Sequence, residues 1–380
     1  MKDCYISSLI IPTSGVSHLA FHPNMPKILV SSRTGGILLY NIEKQSRPFA
    51  FQAKGFSPIR SYISPDGDFV VGVSYEGKIG FWRNHNSNPE SLFSGHPSKI
   101  NDMAVCGDKS HFITAANDKV VKLWDVRANE DDVTLKFVTS YTFHKSPVTA
   151  CSCDQNSTIC VSGDSSGECY MWDYREQNES TLIYQTKSSK RDLVQSIGVN
   201  ISTNTISVLS DRGHLAIVDS RNPFKPLSPV FRAYPSMLKM HPRHPYVMFG
   251  GNDNSIMCFD VESNSLLYSF EGHKAPNTCI CWSDNGKSFA SADADGTVII
   301  WRLPKAQKRP KIGIYHNEIF ASEPKANSDT YISPDILLEQ CNVLGEHILE
   351  VNQMLESQER RVQKLVDCYP SIGGNNTYEC

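Results

Sequence analysis

The stretch Asp118-Lys-Val-Val-Lys-Leu-Trp-Asp-Val-Arg127 decides the fold, because similar stretches recur along the chain. Ser-Gly-Glu-Cys-Tyr-Met-Trp-Asp-Tyr-Arg occupies 166–175, and Asp-Gly-Thr-Val-Ile-Ile-Trp-Arg-Leu occupies 295–303. The aromatic or apolar residues that close these stretches and their weaker copies are Tyr40, Trp82, Trp124, Trp172, Val218, Phe259 and Trp301. Successive members of this set are 42, 42, 48, 46, 41 and 42 residues apart. A period of this length indicates seven structural repeats.

Each repeat has the sequence pattern of four short β-strands. In the second repeat, the turn sequence Ser-Pro-Asp-Gly at 64–67 precedes one apolar run at 68–73 and another at 77–82. A shorter segment at 91–94 then supplies a fourth strand. Short alternating runs bounded by Gly, Pro and Asp are typical of strands rather than helices. The repeats therefore predict an all-β fold.

The repeats resemble the WD-repeat β-propeller family, from about residue 3 to residue 303. This resemblance implies a seven-bladed propeller at 1–303, in which residues 3–11 close the last blade as its outer strand. It also implies buried networks that run from a turn carboxylate through an imidazole and a hydroxyl to an indole N–H. The residues that match these networks are His96, Thr114, Asp118 and Trp124 in one repeat, and His273, Ser291, Asp295 and Trp301 in another.

The composition limits the classes to which this protein can belong and the partners and compartments to be expected. Of 380 residues, 40% are hydrophobic and 20% are charged, which is typical of a soluble globular chain. The net charge of -3 provides no basic field for a phosphate backbone, so we expect no nucleic-acid partner. No apolar run reaches the roughly 18 residues of a membrane helix, and the N-terminus lacks a signal-peptide layout. We therefore expect a cytoplasmic protein without membrane association.

No motif in the sequence predicts a catalytic centre or a metal site. The 12 cysteines include no Cys-x-x-Cys pair, which is typical of reduced, buried thiols. Two Cys-x-Cys pairs, at 151–153 and 279–281, lack the further pair that a four-ligand zinc site requires. The Gly-x-Ser-x-Gly match at 163–167 continues into a repeat strand, whereas a nucleophile elbow leads into a helix. We predict no catalytic, cofactor-binding or metal-binding residues, and no enzymatic activity.

The C-terminal part of the chain changes character after the last repeat. Residues 304–332 form a polar linker with several prolines, and Ser-Pro-Asp at 333–335 is a helix-start signal. Apolar residues then recur at alternating spacings of four and three, which predicts a coiled-coil helix at 333–368 before a disordered tail at 369–380. The predicted seam comprises Leu337, Leu344, Ile348, Val351, Leu355, Val362 and Leu365. A second helix, from the same or another protein, is expected to cover this seam; the alternative is that the helix docks on the propeller's own surface.

A propeller followed by a linker and a short coiled coil is similar to the proteome-of-centriole WD-repeat family, of which this chain would be a divergent member. The helical stretch at 338–355 is similar in position and pattern to that family's C-terminal motif. The resemblance implies a structural scaffold of centrioles and basal bodies that braces microtubule triplets and supports cilium assembly. Tubulin and centriolar inner-scaffold proteins are the implied partners, and the cytoskeleton is the implied location.

Two sets of residues are candidates for partner binding. Turn residues and the starts of the first strands should line one face of the ring, and Arg and aromatic side chains there are favoured anchors. This candidate interface comprises Arg33, Arg60, Tyr75, Asn101, Asn117 and Asn252. Alternatively, the Trp-Asp-x-Arg sequences ending at Arg127 and Arg175 resemble the box by which substrate receptors of cullin-RING ubiquitin ligases dock their adaptor. The sequence leaves both functions open.

Overall fold

A computed structural model describes residues 5–304, apart from 11–14, 35, 45–46, 84–85, 129–132, 177–178, 186–191, 227–230, 233–234, 252–253 and 264. From residue 305 onward, the predicted linker, the coiled coil with its seam and the C-terminal tail lie outside the described residues. No helix within the described ranges has the length and hydropathy needed to span a membrane.

The strands of the first four sheets follow the repeats. After β1 (Tyr5–Ile10), blade 1 contains β2 (Val16–Phe21), β3 (Lys27–Ser32), β4 (Gly36–Asn41) and β5 (Phe49–Phe51). Blade 2 contains β6 (Pro58–Ile63), β7 (Phe69–Ser74), β8 (Lys78–Arg83) and β9 (Ser91–Ser94). Blade 3 contains β10 (Ile100–Val105), β11 (His111–Ala116), β12 (Val121–Ala128) and β13 (Val133–Tyr141). Blade 4 contains β14 (Val148–Cys153), β15 (Ile159–Asp164), β16 (Glu168–Asp173) and β17 (Thr181–Gln185).

Three further sheets complete the ring. Blade 5 contains β18 (Val194–Asn200), a short 3-10 helix (Ile201–Thr203), β19 (Thr205–Ser210), β20 (His214–Asp219), β21 (Asn222–Pro226) and β22 (Phe231–Arg232). Blade 6 contains β23 (Pro235–Met240), β24 (Tyr246–Gly251), β25 (Ser255–Asp260) and β26 (Ser265–Glu271). Blade 7 contains β27 (Asn277–Trp282), β28 (Ser288–Asp293) and β29 (Thr297–Arg302), with β1 as its fourth strand. These seven antiparallel sheets form a seven-bladed propeller.

The N-terminal strand closes the ring, as the family resemblance implied. β1 pairs antiparallel with β29, and the register places Leu9 opposite Val298 and Tyr5 opposite Trp301. This pairing covers the edge that β29 would otherwise expose, and it joins the two ends of the propeller within one sheet. The first strand of each blade also contacts the first strands of its neighbours, including β2 with β27.

Each core of the propeller lies between two adjacent blades. Val30 and Tyr40 of blade 1 pack with Cys281 and Ile300 of blade 7, and equivalent buried clusters fill the other six interfaces around the ring. Because the alternating apolar residues of each strand face both neighbouring sheets, every blade depends on the next for burial of its apolar surface.

The network predicted in the third repeat assembles in blade 3. Oδ2 of Asp118 lies 2.7 Å from Nδ1 of His96, and Oγ1 of Thr114 lies 2.7 Å from Nε2 of the same ring. The indole Nε1 of Trp124 donates to the Thr114 hydroxyl at 2.9 Å. Because the carboxylate can only accept, Nδ1 carries the proton and Nε2 accepts from the hydroxyl. Burial lowers the pKa of His96, which favours this neutral ring.

In blade 7 a different carboxylate completes the network. Trp301 Nε1 donates to Ser291 Oγ at 2.8 Å, and Ser291 Oγ lies 2.7 Å from Nε2 of His273. Nδ1 of His273 contacts Asp293 at 2.9 Å, whereas the predicted partner Asp295 is exposed. The prediction of Asp295 is wrong because the last residue of β28 already carries a carboxylate that points into the core, and Asp295 lies two residues further along the turn.

In blade 4, as in blade 7, the carboxylate of the network comes from the last residue of the second strand. Asp164, the last residue of β15, contacts Nδ1 of His144 at 3.0 Å, and Ser162 contacts Nε2 at 2.6 Å. Asp164 also accepts hydrogen bonds from the backbone N–H and the hydroxyl of Ser166, which occupies the turn position where the family pattern expects an acid. The position of Ala116 in blade 3 is equivalent, and its lack of a carboxylate explains why Asp118 is used there.

Candidate protein-binding face

The turns between second and third strands lie at the same end of the propeller as the connections between blades. In six blades, the residue after the second strand donates its backbone N–H to the carbonyl of the residue before the first strand. The pairs are Arg33 to Gly15, Tyr75 to Ser57, Asn117 to Lys99, Ser165 to Pro147, Asp211 to Leu193, and Ala294 to Pro276. We call this end the loop face, and the end that carries the other turns the opposite face.

The six predicted interface residues divide into three groups. Arg33, Tyr75 and Asn117 are exposed on the loop face. Arg60 and Asn101 instead bond to neighbouring blades. Asn101 donates through Nδ2 to the carbonyl of Val148 in blade 4 at 2.6 Å, and also to Asn117 Oδ1 within its own blade at 2.8 Å. Asn252 lies outside the described residues. The first group is therefore the part of the prediction that is accessible to a partner.

An exposed aromatic ring stands over a lysine on the loop face between blades 2 and 3. Tyr75 is 50% exposed, and Nζ of Lys99 lies 4.4 Å from the centroid of its ring. A cation over the face of an aromatic ring is attracted to it, so the lysine and the ring hold each other while half of the Tyr75 side chain stays exposed. Tyr75 was predictable from the sequence but Lys99 was not, because the two residues are 24 positions apart and belong to different repeats.

This part of the loop face is basic. The segments 52–58, 74–78, 94–101 and 116–122 carry five lysines, which we call the basic patch: Lys54, Lys78, Lys99, Lys119 and Lys122. The same segments contain two acids, Glu76 and Asp118. Both acids have local partners, since Glu76 accepts from the Ser57 backbone N–H at 3.0 Å and Asp118 is bonded to His96. A basic surface that also carries an exposed aromatic ring is suited to an acidic protein partner.

An ion pair in the central channel links the first four blades. Arg60 donates through Nε to Asp102 at 2.7 Å and through Nη1 to the carbonyl of Ser17 at 3.0 Å. Asp102 in turn accepts from the backbone N–H of Cys151 at 3.2 Å. Burial alone would lower the pKa of Arg60, but the Asp102 carboxylate outweighs it and raises the pKa. Arg60 therefore serves ring assembly, rather than the partner interface that its sequence position suggested.

A cavity of about 230 Å³ occupies the channel, and all seven blades line it. Its wall includes His18, Tyr62 and Lys239. At the turns of the opposite face, Nζ of Lys109 lies 3.8 Å from Oδ2 of Asp284. Burial, and then the charges of Arg60 and Lys239, lower the pKa of His18 well below its usual value. The channel wall therefore keeps its histidine neutral.

On the opposite face, two arginines each form an ion pair with the aspartate two residues earlier in the chain. We call these two pairs the clamps. Arg175 donates through Nη2 to Asp173 at 2.6 Å, and Arg221 donates to Asp219 at 2.7 Å in the next blade. Both arginine side chains are largely exposed, at 67% and 70%. Hydrogen bonds from Arg175 lower the pKa of Asp173 to about 2. The side chain of Arg127, the other residue of the ligase-box hypothesis, lies outside what the structure describes.

His241, in a turn of the opposite face, has a structural role. Nδ1 of His241 accepts the backbone N–H groups of Arg243 and His244 at 3.0 Å, and its Nε2 donates to the carbonyl of Gly286 at 3.0 Å. Burial lowers the pKa of His241 to about 4. Since both ring nitrogens are used, His241 is a turn-capping residue rather than a metal ligand.

Comparisons with known proteins agree with this architecture. The family described as "WD domain, G-beta repeat" matches residues 87–125, 135–173 and 264–302. Serine-threonine kinase receptor-associated protein of Homo sapiens is 23% identical over 278 residues, which cover 64% of this chain and 77% of that protein. Peptidylprolyl isomerase domain and WD repeat-containing protein 1 of Homo sapiens is 24% identical over 245 residues, or 62% of this chain and 32% of that protein.

A further relative is autophagy-related protein 16 of Arabidopsis thaliana, which is 21% identical over 247 residues, covering 63% of this chain and 46% of that protein. The three matched repeats, together with seven antiparallel blades of which the last is closed by β1, define the class: this chain is a seven-bladed β-propeller that contains WD repeats.

Proposed function

We propose that this chain is a non-enzymatic scaffold that binds an acidic protein surface through the basic patch and Tyr75. The observation that carries the proposal is the Tyr75–Lys99 pair, an exposed ring with a lysine ammonium over it, in a basic part of the loop face whose two acids are already bonded. Exposed aromatic and cationic side chains that do not support the fold are suited to contact a partner. The name of one relative, a receptor-associated protein, describes association with another protein and supports an adaptor role.

More specifically, we propose that the scaffold acts at centrioles and basal bodies. Tubulin would be the acidic partner, and inner-scaffold proteins would be neighbours. Support comes from the sequence resemblance to the proteome-of-centriole family and from the basic patch on the loop face. The predicted coiled coil at 333–368 would then attach the propeller to a helical partner, which gives the chain two points of attachment.

Charge reversal on the loop face tests this proposal. We expect the double substitution Lys99→Glu and Lys119→Glu to weaken co-sedimentation of the full chain with microtubules by about tenfold or more. The matched control reverses Lys27, the first residue of β3, and Lys287, in the turn before β28, both at the opposite face. Equal loss in both double variants would indicate a nonspecific charge effect and would contradict the proposed face, as would unchanged binding of the loop-face variant.

The alternative function, substrate receptor of a cullin-RING ubiquitin ligase, rests on the exposed guanidinium of Arg175 that Asp173 orients. Arg221 provides an internal control, because Asp219 holds it in the same geometry although Val218 replaces the tryptophan. Loss of adaptor pull-down in the Arg127→Glu and Arg175→Glu variant, but not in Arg221→Glu, would favour the ligase. Unchanged pull-down would favour the scaffold.

A further inference from the structure

Three cysteines from two adjacent blades meet in the core between blades 3 and 4. Cys106 follows β10, whereas Cys153 on β14 and Cys160 on β15 are directly opposite each other across the sheet. The Sγ atoms of Cys106 and Cys153 are 3.8 Å apart, and those of Cys153 and Cys160 are 2.9 Å apart. All three sulfur atoms lie within 4.8 Å of one another.

We propose that Cys106, Cys153 and Cys160 bind one soft, thiophilic metal ion, Cu(I) or Zn(II), that joins blade 3 to blade 4. This site is independent of the proposed partner-binding face, from which it is separated by the core.

The spacing of the sulfur atoms fits coordination to a single ion. At a metal–sulfur distance of about 2.3 Å, two thiolates of a tetrahedral site are about 3.8 Å apart. The separation between Cys106 and Cys153 already has this value. Cys153 and Cys160 are closer than that at 2.9 Å, so a small rotation of either side chain must open the pair to admit the ion.

The surroundings favour a soft ion. All three cysteines are buried, and Tyr141, Trp172 and Tyr174 belong to the same core cluster. Among the described residues, no histidine or carboxylate completes this group of three sulfur ligands. Thiolates select Cu(I) and Zn(II), whereas Mg²⁺ and Ca²⁺ require oxygen ligands. Cu(I) can be held by three sulfurs alone, and Zn(II) would add water as its fourth ligand.

The central channel gives the site a route to solvent. Cys153 lines the channel cavity of about 230 Å³, which is large enough to contain water. We expect the ion to enter from this cavity, and the proton that each bound thiol releases to leave by the same route. One member of the cluster therefore borders the channel, although all three cysteines lie in the core.

Metal binding and thiol mapping on the full chain test the proposal. The reduced protein is dialysed separately against Zn²⁺, against Cu(I) under anaerobic conditions and against Mg²⁺, and bound metal per chain is measured. We expect one soft ion to be lost in the Cys106→Ser and Cys160→Ser double variant, and to be retained in Cys169→Ser and Cys258→Ser, which alter buried cysteines elsewhere. Mg²⁺ should not bind at this site.

Alkylation of the wild-type chain avoids dependence on variant folding. During partial unfolding, the bound ion should slow alkylation of Cys106, Cys153 and Cys160 relative to Cys169 and Cys258, as measured by peptide mass mapping. Equal alkylation rates with and without metal would overturn the proposal. The same conclusion would follow if the double variant, shown by circular dichroism to be folded, kept all of its bound metal.

Discussion

Oδ2 of Asp293 lies 2.9 Å from Nδ1 of His273, and both side chains are almost completely buried. The other carboxylate oxygen of Asp293 accepts the backbone N–H of Thr297 at 2.8 Å, so this one group joins the end of β28, the following turn and the core histidine. Asp164 makes the equivalent contact with His144 in blade 4. Two blades of the propeller are thus held by a carboxylate that ends the second strand.

Asp293→Asn should reduce the free energy of unfolding by about 2 kcal/mol, because an amide nitrogen would face one of two buried N–H donors. Urea unfolding monitored by tryptophan fluorescence measures the change. Asp295→Asn, on the exposed turn position, should change the same free energy by less than about 0.5 kcal/mol. A larger effect at Asp295 than at Asp293 would show that the network uses the turn carboxylate after all.

Arg60 and Asp102 should be energetically coupled. Arg60→Met leaves the Asp102 carboxylate in the channel wall without its charge partner, and we expect a loss of about 2 kcal/mol in the free energy of unfolding. Adding Asp102→Asn should recover part of that loss, since the uncompensated charge is then gone. A double-mutant cycle measures this coupling, and additive losses would mean that the ion pair does not stabilise the ring.

Histidine burial should make the propeller less stable in mild acid. The pKa of His241 is about 4 in the folded chain against about 6.5 when unfolded, so the unfolded chain binds the proton first as the pH falls. Stability should therefore decrease as the pH falls from about 6.5 to about 4. Thermal melting across this window measures the trend, to which His18, His22, His96 and His273 also contribute.

His241→Asn isolates one contribution to this pH dependence. Asn200 occupies the equivalent position in blade 5, where its side chain accepts the backbone N–H of Thr203, so asparagine is compatible with the turn. The variant should show a shallower loss of stability between pH 6.5 and pH 4 than the wild type. An unchanged slope would mean that His241 is not kept neutral by burial.

Removal of residues 1–11 should destabilise the whole propeller. The deletion takes away β1, exposes the edge of β29 and leaves blade 7 with three strands. We expect a melting temperature lower by several degrees and increased aggregation, because unpaired strand edges associate. A chain that lacks residues 369–380 serves as the control of similar length. Identical melting of the two truncated chains would contradict ring closure by β1.

Repetition along the chain made the architecture predictable. Trp124 and Trp301 recur at a fixed place in their repeats, and the turn residues around them mark strand ends, so blade number and strand content follow from local patterns. The same patterns predicted Asp295 where the structure uses Asp293. Both carboxylates are close to His273 in the repeat pattern, and the choice depends on which backbone position points into the core.

Relationships between blades were the least predictable. Arg60 was assigned to a partner surface, but its side chain turns along the channel to Asp102, which is 42 residues away. The grouping of Cys106 with Cys153 likewise spans two repeats. Such contacts depend on how neighbouring sheets are placed around the ring. Periodicity within one repeat carries no information about that placement.

Amide hydrogen exchange of the full chain, with and without stabilised microtubules, tests the proposed binding face most directly. Binding through the basic patch predicts slower exchange at 74–78, 95–101 and 117–122, with no change at the clamps at 173–175 and 219–221. Protection confined to the opposite face, or no protection anywhere in the propeller, would contradict the proposal that Tyr75 and the surrounding lysines contact an acidic partner.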